Sequence, residues 1–157
     1  MNEAFQLKAG DVFNQELLEE RLYWDGKGTD VSSLYFNKGY AYFKVAVDKM
    51  HNGTYIIDEL PKGDYVIDFN FKVFEGVDVS IADINFSGNE TISTAELMSK
   101  IDMKAGDVFS RSKIIATQKV LAEMGKFDPK KVGVSTPILE KNKQLMNIEF
   151  SLVEIEK

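Results

Sequence analysis

The sharpest alternation in the chain sets Tyr65, Ile67, Phe69, Phe71 and Val73 against Val66, Asp68, Asn70 and Lys72. That is the two-residue period of a strand with one face on a core and the other in water. The same period runs through residues 40–48, with Ala41, Phe43, Val45 and Val47 opposite Tyr40, Tyr42 and Lys44, and returns as Met146, Ile148, Phe150 and Leu152. Residues 79–86 read as a further strand and residues 132–138 as an extended stretch. Helical spacing fills the intervals. Asn14 caps a helix over 15–23, with Glu16, Glu19 and Glu20 in its early turns and Leu18 and Leu22 on one face. Asp30 caps a second helix over 31–37, stopped by Gly39. Ser93 and Glu96 form a capping box. Ser110 opens a longer helix whose apolar stripe is Ile114, Leu121 and Met124 and whose end is Gly125.

Two of the connections carry turn chemistry, His51-Asn52-Gly53-Thr54 and Leu60-Pro61-Lys62-Gly63-Asp64, so the strands at 40–48 and 65–73 are expected to form a hairpin with a long connection. A third connection, Asp25-Gly26-Lys27-Gly28-Thr29-Asp30, has neither EF-hand spacing nor a full Walker pattern and reads as a plain loop.

The chain also repeats itself. Lys8-Ala9-Gly10-Asp11-Val12-Phe13 returns unchanged as Lys104-Ala105-Gly106-Asp107-Val108-Phe109, which points to tandem domains. The second copy reads strand, helix, helix, strand, strand; the first lacks the opening strand and most of the first helix. The expected organisation is α+β: two tandem β-α-α-β-β domains over 1–76 and 77–157, each a three-stranded mixed sheet with two helices on one face. Glu75 and Gly76 form the hinge.

Composition narrows the function. A net charge of −6 offers no basic footprint for nucleic acid. The absence of Cys removes disulfides and thiolate metal sites, and no run approaches the ~18 apolar residues of a membrane span. His51 is the only histidine, and no Ser/His/Asp set assembles around it. No catalytic, cofactor or metal residue is expected. Asn52-Gly53-Thr54 and Asn89-Glu90-Thr91 match a glycosylation sequon too short to carry weight. What remains is an activity of the backbone, since an open sheet edge accepts an extended peptide by strand addition. Tyr40, Tyr42, Phe43, Lys44 and Val45 in the first domain and Val132, Val134 and Thr136 in the second are the candidate edges. The competing reading is an edge merely protected by its charges.

The element order, with Ile84-Asn85-Phe86-Ser87-Gly88-Asn89 closing the opening strand, Ala105-Gly106-Asp107-Val108-Phe109-Ser110 before the long helix and Gly125-Lys126-Phe127-Asp128 after it, resembles POTRA (polypeptide-transport-associated) domains. Leu152-Val153-Glu154-Ile155-Glu156-Lys157 is similar to the segment leading into the membrane barrel of BamA-type outer-membrane protein assembly factors, and the wording Phe127-Asp128-Pro129-Lys130-Lys131 is most like the Bacteroides type. The resemblance implies the last two POTRA repeats: a periplasmic, non-catalytic scaffold without cofactor, followed by a C-terminal membrane β-barrel. Its implied partners are unfolded outer-membrane proteins and accessory assembly lipoproteins. A related translocation or two-partner secretion protein is the alternative carrier, and a hydrolase with a buried polar cluster is a more distant rival. If the first domain lacks its opening strand, residues 65–73 expose an adhesive edge, and an artefactual dimer through that domain is expected.

Overall fold

The computed structural model describes residues 2–48, 50–51, 54–55, 58–59, 65–138 and 142–155. The chain divides into two compact units, Met1–Leu34 with Tyr42–Gly76, and Tyr35–Ala41 with Val77–Lys157.

Unit 1 begins with α1 (Asn2–Phe5) and α2 (Gln15–Leu22). The Asn14 side chain accepts from the Leu17 amide at 3.0 Å, so the expected cap forms and Leu18 and Leu22 turn into the core. Helix α3 (Val31–Phe36) starts at Asp30, whose fully buried carboxylate accepts from the Ser33 amide at 2.9 Å and the Ser33 hydroxyl at 2.7 Å. Buried Ser32 donates to the Leu22 carbonyl at 2.7 Å and ties the start of α3 to the end of α2.

The expected hairpin is present but interrupted. Strand β1 is Lys44–Val47; β2 (Met50–His51) pairs with β3 (Thr54–Tyr55), β4 (Asp58–Glu59) with β5 (Tyr65–Val66), and β6 (Phe71–Phe74) runs antiparallel to β1. The strand expected over 40–48 therefore begins only at Lys44, because residues 41–42 form a turn. The run over 65–73 splits because its first two residues pair with β4 while Phe71–Phe74 pairs with β1. His51, read from sequence as a turn residue, lies in β2 opposite Thr54; Asn52, Gly53 and residues 60–64 fall outside the described residues.

Unit 2 contains β7 (Ser80–Ser87), α4 (Thr94–Met98), α5 (Arg111–Glu123), β8 (Gly133–Ser135) and β9 (Leu145–Ser151). Its sheet has the order β7-β9-β8, with β9 parallel to β7 and antiparallel to β8. This is the expected three-stranded mixed sheet with the last strand at its centre. Parallel neighbours need a long crossover, here the segment bearing α4 and α5. Ser93 and Ser110 cap the two helices by accepting from the Glu96 amide at 3.2 Å and the Lys113 amide at 3.5 Å. Leu97, Ile114 and Leu121 contribute to the buried core together with Ile81, Ile84, Met146, Ile148, Phe150 and Phe127.

Ile81 and Ile84 are an odd number of positions apart, so in a regular strand they would face opposite ways. Both are buried because the register against β9 shifts between Ile81 and Asp83, a bulge that returns Ile84 to the core face. Unit 2 also takes in the segment Tyr35–Ala41. There the Gly39 carbonyl accepts from the Val79 amide at 2.9 Å, the Asn37 side chain accepts from the Ser112 amide at 2.9 Å, and the Arg111 guanidinium sits over the Phe36 ring at 5.0 Å.

Gly88 and Gly125 both have positive φ, 78° and 65°, but only Gly88 is crowded: a Cβ there would collide with the Leu152 carbonyl oxygen, whereas one at Gly125 meets nothing within 4 Å. Gly125→Ala should cost about 1–2 kcal/mol, the ordinary cost of a left-handed non-glycine residue. Gly88→Ala should cost at least about 3 kcal/mol, because backbone must also move. Thermal unfolding followed by circular dichroism should separate them by several degrees, since about 1 kcal/mol shifts a domain of this size by roughly 4–8 °C. Equal shifts would contradict the packing at Gly88.

Candidate functional site

Strand β8 is paired on one side, with β9, and among the described residues nothing pairs with its other side. The register decides which backbone groups that side presents. Gly133 stands opposite Ser151, Val134 opposite Phe150 and Ser135 opposite Glu149, and beyond the strand the Asn147 amide donates to the Pro137 carbonyl at 3.0 Å. Antiparallel pairs alternate between hydrogen-bonded and non-hydrogen-bonded. Counting back from Pro137, Ser135 and Gly133 turn their amides and carbonyls toward β9, and Val134 and Thr136 turn theirs away.

Val132 has the same parity, but its carbonyl already accepts from Gln118 Nε2 at 3.1 Å, which fastens the start of the edge to α5. At the other end the Ser135 hydroxyl meets Glu149 Oε2 at 3.1 Å across the ladder. The edge is thus held from both sides while Val134 stays half-buried at its centre.

The same counting applies in unit 1. The Asp48 amide donates to the Asn70 carbonyl at 2.9 Å, and Lys44 opposes Phe74, Val45 opposes Val73 and Val47 opposes Phe71. Lys44 therefore turns its backbone toward β6, while Val45 and Val47 turn theirs outward. Of the sequence candidates, Lys44 and Val45 lie in β1; Phe43 immediately precedes it and is buried; Tyr42 lies in the turn; and the Tyr40 amide donates to the Tyr35 carbonyl at 3.1 Å within unit 2. Val47 lies within the strand expected over 40–48. Its outward backbone follows only from the register, which alternating hydrophobicity does not specify. Glu75 and Gly76 close unit 1, with Gly76 at φ 76° and so close to Tyr42 that an added Cβ would lie 2.8 Å from the Tyr42 Cβ.

Residues 79–154 match the family model described as POTRA, surface antigen variable number repeat. The chain is also similar to BamA from Haemophilus ducreyi lacking POTRA domains 1–3, with TM-score 0.70, 20% identity, and coverage of 98% of this chain and 26% of that one. It is similar to Haemophilus influenzae BamA POTRA3-5, with TM-score 0.72, 13% identity, and coverage of 98% and 53%. At these identities the likeness is one of fold, and the chain spans about a quarter and about half of those two chains. No curated protein sequence matches it.

The glycine loop before α3 spends its polar groups on itself. Asp25 Oδ1 accepts from the amides of Lys27 at 2.8 Å, Gly28 at 2.7 Å and Thr29 at 3.2 Å, and Oδ2 from the Thr29 hydroxyl. Among the described residues no group of three acidic, His or Cys side chains could hold a metal. Burial pushes the Asp25 carboxyl up, but the Thr29 hydroxyl and the three amides together outweigh it and hold it at about 2, against an ordinary 3.8. A depressed folded value means that the ordered loop is favoured above the ordinary value and loses that support as pH falls toward about 2. Amide exchange at Gly28 should therefore accelerate, relative to its intrinsic rate, between about pH 4 and 2 in the wild type, and Asp25→Asn should abolish that pH dependence. A wild-type profile flat across that window would contradict the assignment.

Proposed function

Residues 79–154 form a POTRA domain, and from that premise we propose that the chain is a non-catalytic scaffold of an outer-membrane β-barrel assembly factor. Its two units are the penultimate and last POTRA repeats, and they work in the periplasm ahead of a membrane barrel. They bind unfolded outer-membrane proteins and accessory assembly lipoproteins by adding the ligand's strand to an exposed sheet edge.

The observation that carries this reading is β8, a short edge whose outward amide and carbonyl at Val134 are paired with no described strand and lie between two anchors, Gln118 on Val132 and Glu149 on Ser135. An edge fixed in this way loses little conformational freedom on binding, so main-chain hydrogen bonds to an incoming strand are retained as affinity. It also reads no particular side chain, which suits a partner that must accept many membrane strands sharing only an apolar-polar alternation. In unit 1, Val45 and Val47 offer the same kind of surface along β1.

The discriminating substitution is Val134→Pro. Because the Val134 amide points away from β9, proline removes the outward donor without breaking the ladder, and proline is tolerated at such edge positions. Fluorescence anisotropy of a labelled membrane-strand peptide of about ten residues should show binding weakened about tenfold by Val134→Pro, roughly one hydrogen bond, and nearly unchanged by Val134→Thr. Undiminished binding to a Val134→Pro protein with native circular dichroism would remove β8 as the site.

A further inference from the structure

Two side chains anchor β8, and only one of them engages a backbone group that faces outward. The Ser135 hydroxyl meets Glu149 Oε2 at 3.1 Å, a contact between side chains, and Ser135 turns its backbone toward β9. Gln118 Nε2 instead donates to the Val132 carbonyl at 3.1 Å, a group of the same outward parity as those of Val134 and Thr136. Upstream the chain turns away, because the Lys131 amide donates to the Asp128 carbonyl at 2.9 Å and the Lys130 amide to Asp128 Oδ1 at 3.0 Å. The outward edge therefore runs from Val132 to Thr136, and its first acceptor is already in use.

Gln118 reaches that acceptor from a fixed base. It lies within α5, directly after the buried Thr117 and one turn on from the buried Ile114, the side chains that seat the helix on the core. An antiparallel strand laid on β8 would pair with both backbone groups of each outward residue. At Val134 no described strand pairs with those groups. At Val132 the incoming N–H would need the oxygen to which Gln118 already donates. Sheets blunt their edges by covering them, and here the cover is one carboxamide.

We infer that Gln118 is a stop at the start of the β8 edge: it ends the register of an added strand at Val134 and must be displaced before pairing reaches Val132. The inference rests on strand addition at β8 and concerns how much of a strand that edge accepts. Fewer main-chain hydrogen bonds mean faster dissociation, so the stop favours release of the strand over its retention.

Two substitutions separate the hydrogen bond from the bulk of the side chain. Gln118→Ala removes the side chain and suits a helix, whereas Gln118→Glu keeps its length but, ionised, has no proton to donate. The probe is a peptide of about ten residues alternating Val and Thr, added to the isotope-labelled 157-residue protein and followed by amide exchange and NMR titration. In the wild type the Val134 and Thr136 amides should slow with peptide while Val132 keeps its rate. In both variants Val132 should slow as well, and affinity should rise about fivefold, the effect of one hydrogen bond exchanged for another without competition. Four results would overturn the stop and leave strand addition standing: protection of Val132 in the wild type; equal footprints and affinities in all three proteins; weaker binding by the variants, meaning that Gln118 only steadies the edge; or a Gln118→Glu protein that behaves like the wild type while Gln118→Ala does not. Absence of protection at Val134 in all three would instead remove the β8 site, and the stop with it.

Discussion

The fold of unit 2 depends on one strand having two different kinds of neighbour. Because β9 lies parallel to β7 and antiparallel to β8, the chain must cross over between β7 and β9, and that crossover bears the two helices. Burial of Ile148 and Phe150 in β9 and of Leu97, Ile114 and Leu121 in the helices makes this the centre of the hydrophobic core. With β9 paired on both sides, β8 is the outermost strand of this sheet among the described residues. The position of β8 at the end of the sheet is thus set by the same topology that builds the core.

The carboxylates that might have suggested chemistry are consumed by the fold. Asp25 organises its own loop, Asp30 caps α3, and Glu154 accepts from the Thr91 amide at 2.8 Å and the Thr91 hydroxyl at 2.7 Å, which together depress its pKa. Asp25 and Asp30 satisfy local amides that would otherwise need water, and Glu154 ties the segment after β9 to the one after β7. Among the described residues the edges of the sheets keep backbone groups unpaired, as the proposed strand addition requires.

Much of this was legible in the sequence, and the exceptions share a cause. The caps at Asn14, Ser93 and Ser110 could be read because each is decided within about four residues, and the alternation of Met146, Ile148 and Phe150 because one face of β9 is uniformly apolar. The bulge at Ile81/Asp83 could not be read, since it depends on the register against a strand far along the chain. The split of residues 65–73 and the late start of β1 are likewise decided by pairing partners. The candidate edge at Val132, Val134 and Thr136 could be placed by pattern, but which of its residues face outward required the hydrogen bond between Asn147 and Pro137.

That parity provides the most direct measurement. Residue-resolved hydrogen exchange on the folded chain, with and without an unfolded outer-membrane β-barrel protein, reads each amide of β8 separately. Strand addition requires the outward Val134 and Thr136 amides to slow on addition of the ligand, while those of Gly133 and Ser135, already paired with β9, stay as they were. Protection that leaves Val134 and Thr136 untouched, or that rises evenly along residues 133–136, would contradict recognition through this edge.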